Sequence, residues 1–178
     1  MTFSAESNSF SIFRNLDASV LILASGFGSG FSPVAPGTAG SLLAVIIWWL
    51  VPPLLWMRVS LLALSLLLGV WSATQAEKKW GHDNGKIVID EVAGMWITLL
   101  FLPKVFLVYL IAFLLFRAMD IVKPLGARQI QKLKGGWGVV ADDVLAGIYA
   151  NILCQIVVMM FWGQYNVPLK ILIQLLIK

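Results

Sequence analysis

The sequence is poor in charge and in reactive side chains. Only 12% of its 178 residues are Asp, Glu, Lys or Arg, against roughly 25% in an ordinary soluble domain. A water-soluble globule of this length could not cover its surface with so few. There is one cysteine, Cys154, so no internal disulfide can form. It lies in an apolar run, as a buried, inert thiol does. There is one histidine, His82, which excludes chemistry that needs histidine in two roles. No lysine follows a glycine loop at Walker spacing, and no dinucleotide-binding glycine pattern is present. The apolar stretch Val20–Ala24 is too short for a secretory signal.

What is abundant is apolar sequence, 60% of the chain, with a mean hydropathy of +0.88. Disorder is excluded by the same composition. The expected class is an all-α, polytopic membrane helical bundle. A spanning helix needs about 20 mostly apolar residues. Leu54–Ala76, Val105–Val122 and Val144–Trp162 meet this plainly. Ala39–Val51 stops at Pro52-Pro53 and Ile87–Leu102 stops at Pro103, since proline lacks an amide hydrogen and disfavours helix before it. About four to five membrane helices are therefore expected, with a glycine-rich re-entrant or cytoplasmic loop. Residues 20–162 form the membrane-embedded domain, between a polar segment 1–19 and an interfacial segment 163–178.

The net charge of +4 reads as membrane orientation and contact with anionic lipid, not nucleic-acid binding. Arg14, Lys78, Lys79, Lys86, Arg117, Lys123, Arg128, Lys132 and Lys134 fall in connections on one side. Arg58, Lys104 and Lys170 fall on the other. The positive-inside rule puts the larger group in the cytoplasm.

Beyond Asp83 the acidic residues are Asp90, Glu91, Asp120, Asp142 and Asp143. All lie at or beside an apolar helix on that same side. A carboxylate at the centre of a membrane helix costs at least about 2.5 kcal/mol, so such groups mark a cation or a pathway. Asp142 and Asp143 would also cap a helix starting at Val144. Capping does not account for Asp120, at a helix C-terminus where the dipole disfavours negative charge. Arg117, Asp120 and Lys123 recur every three residues, on one broad helix face. Each acidic pair is followed by Ala-Gly, ending at Gly94 and at Gly147. Small residues let helices approach closely, which would bring the two pairs into one site.

The stretch Gly26–Ser41 is rich in glycine, proline and small hydroxyls. Gly28 and Gly30 permit positive φ, and successive amides in such a loop cradle anions. The loop feeds a helix N-terminus, which favours phosphate. A second cluster, Gly135-Gly-Trp-Gly138, precedes Asp142. Mg²⁺ takes hard oxygen ligands, one or two carboxylates with substrate phosphate and water. The residues alone thus imply a phosphorylated substrate at the bilayer surface.

Four blocks carry a family resemblance: Gly26–Ser41, His82–Trp96, Phe116–Pro124 and Gly135–Gly147. In order and spacing they resemble the bacterial phosphatidylglycerophosphatase A family. Family members often have a second proline and an acidic residue between the third and fourth blocks, and Leu125–Lys134 has neither. The resemblance implies an Mg²⁺-dependent phosphatase of the cytoplasmic membrane, converting phosphatidylglycerophosphate to phosphatidylglycerol with its active site facing the cytoplasm. Metal would be held by Asp90, Glu91, Asp142 and Asp143. Arg117 and Lys123 would neutralise phosphate. Asp120 would ligate metal, orient water or act as nucleophile, and His82 would protonate the leaving oxygen. Gly28, Ser29, Gly30, Ser32, Pro36, Gly37 and Thr38 would cradle the phosphate. No Cys-x5-Arg loop and no Asp-x-Asp motif is present. The alternatives are a CDP-alcohol phosphotransferase-like membrane enzyme and a small Mg²⁺ or proton transporter.

Overall fold

The computed structural model describes residues 17–123, 127–131, 133–161, 165–168 and 170–171. The N-terminal segment before residue 17, Arg14, Pro124, Lys132, the side chain of Arg128 and most of 163–178 lie outside the described residues. Residues 17–24 form helix α1, and a 3-10 turn follows at Ser29–Phe31. Then come α2 (Pro36–Leu50), α3 (Leu55–Trp80), α4 (Ile89–Leu99), α5 (Phe106–Val122), α6 (Ala127–Ile130) and α7 (Gly136–Phe161). No strand occurs among the described residues, so the all-α expectation holds.

Local chemistry sets these boundaries. Pro36 opens α2 with the φ a first helical turn requires. Pro52-Pro53 separates α2 from α3. Gly81, at φ 92°, ends α3. One expected boundary moves. The last long helix begins at Gly136 and not at Val144, so Asp142 and Asp143 sit about two turns in and do not cap it. Glycines 136 and 138 make the early start possible. A Cβ on Gly136 would strike the Val70 carbonyl, and one on Gly138 would strike the carbonyls of Gln131 and Leu133.

Two helices, α3 and α7, each of 26 residues, are long and apolar enough to cross a membrane. Helix α4 has only 11 residues. Its C-terminal end is closed by α7, where Asn151 Nδ2 donates to the carbonyls of Ile97, Thr98 and Leu100 at 3.2, 2.8 and 2.8 Å. The Leu100 amide also donates to the Ile97 carbonyl at 3.2 Å, so Asn151 supplements the helix's own bond there and supplies a donor to carbonyls at the helix end. Helix α4 is the centre of the bundle, packed by α2, α3, α5 and α7. Trp96 Nε1 donates to the Ala44 carbonyl of α2 at 2.9 Å.

The burial pattern of α3 is the inverse of a soluble helix. It buries Arg58, Ser65, Gly69, Ser72, Ala73 and Ala76 while Leu64, Leu67 and Trp71 are exposed. Small residues face neighbouring helices and large apolar ones face outward, as in helices packed within lipid. Arg58 is buried with its guanidinium 5.2 Å from the Trp48 ring, and Lys104 lies 5.2 Å from the Trp49 ring. Both cations sit at the end of the bundle opposite the N-terminus of α2.

Candidate functional site

The close approach of α4 and α7 builds the site. A Cβ on Gly147 would strike the Gly94 carbonyl, and one on Gly94 would lie 2.6 Å from the Asp143 carbonyl. Thr98 ties the same two turns together, its hydroxyl reaching the carbonyls of Gly94 and Gly147 at 3.0 and 3.3 Å. This contact carries Asp90 and Glu91 of α4 to Asp143 of α7, with one carboxylate oxygen of each within 4.8 Å of the others. Asp90 Oδ1, Glu91 Oε2 and Asp143 Oδ2 are buried and have no hydrogen-bond partner among the described residues. Three carboxylates this close repel unless a cation lies between them or a proton is shared. The donor set, oxygen only and anionic, fits a hard divalent cation.

Arg117 and Asp120 of α5 border this group. Arg117 Nη1 lies 2.8 Å from Asp120 Oδ2 and 3.3 Å from the Ser41 hydroxyl. Ser41 donates in turn to the Gly37 carbonyl at 2.8 Å. Asp120 faces both Glu91 and Asp143. Gly37 belongs to the first turn of α2, and a Cβ there would strike Glu91 Oε1 and stand 3.2 Å from both terminal nitrogens of Arg117. The turn has no side-chain cap: Ala35 precedes it in a left-handed conformation, and Pro36 has no amide hydrogen. The amides of Gly37 and Thr38 thus have no partner from their own helix. An arginine, two free amides and three carboxylates, each with one unpartnered oxygen, meet at one end of the bundle.

Asp142 is not part of the carboxylate trio. It points to α5, where its Oδ2 meets Lys123 Nζ at 2.5 Å. Lys123 is the left-handed residue that ends α5, at φ 49°. Burial works against its ammonium, but the hydrogen bond and charge of Asp142, with Asp83 and Asp120 nearby, outweigh it and hold the group above its ordinary value.

His82 is exposed, and its Nδ1 meets Glu77 Oε1 at 2.5 Å. Among the described residues no contact joins it to the carboxylates. The loop residues divide as well. Gly37 and Thr38, with Pro36, form the uncapped turn. Ser29 turns its hydroxyl to the Gly26 carbonyl at 2.9 Å, and Ser32 to the Val34 carbonyl at 2.9 Å. Gly30 packs against the Lys86 carbonyl, where a Cβ would not fit, and Gly28 stands at φ 95° with open space around it. These contacts fold the loop. Ser41 is the site residue that sequence reasoning missed; a hydroxyl one turn after Gly37 in an apolar helix was the available signal.

Residues 22–158 match the phosphatidylglycerophosphatase A family. The chain belongs to it. All four sequence blocks of this family member contribute to the end of the bundle just described. The chain is 44% identical over 131 residues to the phosphatidylglycerophosphatase A of Escherichia coli, covering 71% of this chain and 76% of that protein. It is 42% identical over 137 residues to that of Haemophilus influenzae, covering 74% and 84%. A protein of Bacteroides thetaiotaomicron, named provisionally as a phosphatidylinositol-3-phosphatase, is 48% identical over 145 residues, covering 76% of this chain and 91% of that protein. No solved structure matches the chain.

Proposed function

We propose that this family member is a multi-pass enzyme of the bacterial cytoplasmic membrane that hydrolyses phosphatidylglycerophosphate to phosphatidylglycerol and phosphate. The observation that carries the reading is the meeting of three unpartnered buried carboxylate oxygens with Arg117 and the uncapped N-terminus of α2. Asp90, Glu91 and Asp143 would hold Mg²⁺. When bound, it supplies positive charge against a nearly dianionic phosphomonoester and polarises a water molecule.

The rest falls to the chain's own side chains. Arg117 presents a planar fork to two phosphate oxygens. Asp120 and Ser41 fix that fork in place. The amides of Gly37 and Thr38 receive a further oxygen. Phosphoryl transfer spreads charge over the equatorial oxygens, so positioned donors do most of the work. Asp120 lies where a carboxylate can accept a proton from an attacking water or attack phosphorus itself. Lys123, kept cationic by Asp142, adds charge at the mouth of the site. His82, in the exposed loop beside Glu77, stands at the surface where a leaving alcohol would exit.

The inverted burial of α3 and the outward apolar faces support a membrane setting, with four to five helices crossing or entering the bilayer. The excess of basic residues at the site's end supports a cytoplasmic active site. The family match supports neither a CDP-alcohol phosphotransferase nor a transporter. One second reading has an observation behind it: the Bacteroides relative is named for a 3-phosphorylated inositol lipid. Measuring kcat/KM for phosphatidylglycerophosphate and phosphatidylinositol 3-phosphate side by side in mixed micelles decides between them. Preference for the glycerophosphate lipid by tenfold or more is the expected result, and the reverse preference reassigns the substrate.

A further inference from the structure

We propose that the groove between α2 and α5 is the subsite for an acyl chain of the substrate, its mouth at Arg117 and the first turn of α2. The inference rests on the lipid-phosphatase reading above. The groove encloses about 420 Å³, within the roughly 300–1,000 Å³ of small-molecule sites. Leu42, Ile46 and Trp49 line it from α2, and Phe106, Leu110 and Phe113 from α5. Among the described residues no charged side chain lines it. Leu42 and Ile46 are each 51% exposed and Leu110 is 42% exposed, so the groove opens sideways. Trp49 and Tyr109 meet edge to face at 5.3 Å, which makes its wall continuous from one helix to the other.

Helical spacing joins the groove to the phosphate site. On α5, Phe106, Leu110, Phe113, Arg117 and Asp120 recur at intervals of three or four, so the apolar stripe runs straight into the charged pair. On α2, Thr38, Leu42 and Ile46 recur at intervals of four, so the facing stripe begins at the uncapped turn. The two stripes converge where Arg117 contacts Ser41 at 3.3 Å. A lipid with its phosphate on Arg117 has this groove directly beneath its glycerol. From Leu42 to Trp49 is about 10 Å at 1.5 Å per residue, room for the proximal part of one chain.

A groove of similar size, about 430 Å³, lies between α3 and α7. It lacks this continuity. Its α7 wall is Trp137, Val140, Ala141 and Val144, whereas Asp142 and Asp143 turn to Lys123 and to α4.

Ile46→Trp and Leu110→Trp, both at exposed positions, fill the α2–α5 groove without entering the core. Leu67→Trp places the same bulk in the other groove and serves as the control. Phosphate release is measured for each protein with a long-chain and a short-chain phosphatidylglycerophosphate in the same detergent. The expected result is a fall of about tenfold or more in the long-to-short ratio of kcat/KM for Ile46→Trp and Leu110→Trp, the size of effect that apolar pocket contacts give. Leu67→Trp should keep the wild-type ratio. An unchanged ratio in both groove variants of an active enzyme overturns the acyl subsite alone, as does an equal fall in Leu67→Trp. A wild-type protein that releases phosphate from neither lipid overturns the phosphatase reading and the subsite with it.

Discussion

At the scale of single residues, the site separates acids that look alike in sequence. Asp142 and Asp143 are neighbours, yet one meets Lys123 at 2.5 Å and the other joins Asp90 and Glu91. Asp90→Asn, Glu91→Gln and Asp143→Asn should each lower turnover by at least about 100-fold, while Asp142→Asn should cost roughly tenfold, as changes to supporting groups around a metal do. Phosphate release at saturating lipid, with membrane yield as the folding control, measures the difference. Equal losses at all four positions would put Asp142 back among the ligands. Arg117→Lys should lower kcat by about 100-fold despite conserving charge, because lysine loses the planar fork and Arg117 also spans Asp120 and Ser41. Near-normal kcat in that variant would reduce Arg117 to a salt-bridge partner of Asp120. The carboxylates were legible in the sequence because their cost beside apolar helices demands a use. The partner of Asp142 was not, because it depends on where α7 begins. The cradle was read on the backbone of Gly28–Thr38; the hydroxyls of Ser29 and Ser32 bond to the loop's own carbonyls, as hydroxyls in a tight loop do.

At the scale of helices, the contact of Gly94 with Gly147 decides whether the acids meet. Gly147→Ala places a Cβ against the Gly94 carbonyl. Overpacking of this kind costs about 1–3 kcal/mol, and forcing α4 from α7 parts the carboxylates. Both a lower Tm and a loss of activity are expected. Gly69→Ala is the contrast: its Cβ would meet Val140 at 3.6 Å and Ile89 at 3.7 Å, ordinary contact distances, so Tm and activity should hold. Similar Tm values for the two variants would mean that the α4–α7 contact is looser than described. The repeated Ala-Gly after each acidic pair made this approach readable in advance. The α3 and α5 boundaries fall within a few residues of their expected places, since prolines and apolar runs set them. The start of α7 was hidden by its glycines, which read as loop until they are packed against α3. Equally hidden was the shortness of α4, whose end depends on Asn151 reaching across from another helix.

At the scale of the whole molecule, the carboxylates gather at one end of the bundle, and the proposed function puts that end in the cytoplasm. In a Cys154→Ser background, Lys104→Cys should react with an impermeant thiol reagent on whole cells. Asn84→Cys should react only after permeabilisation. The reverse pattern would turn the active site outward and remove it from lipid synthesis at the inner leaflet. The most direct measurement of the central claim is phosphate release from phosphatidylglycerophosphate micelles by purified protein, before metal removal, after exhaustive chelation and after Mg²⁺ is restored. Hydrolysis to phosphatidylglycerol that is lost on chelation and recovered with Mg²⁺ is the predicted result. Full activity in the metal-free protein, or no hydrolysis of this lipid under any of the three conditions, would contradict it.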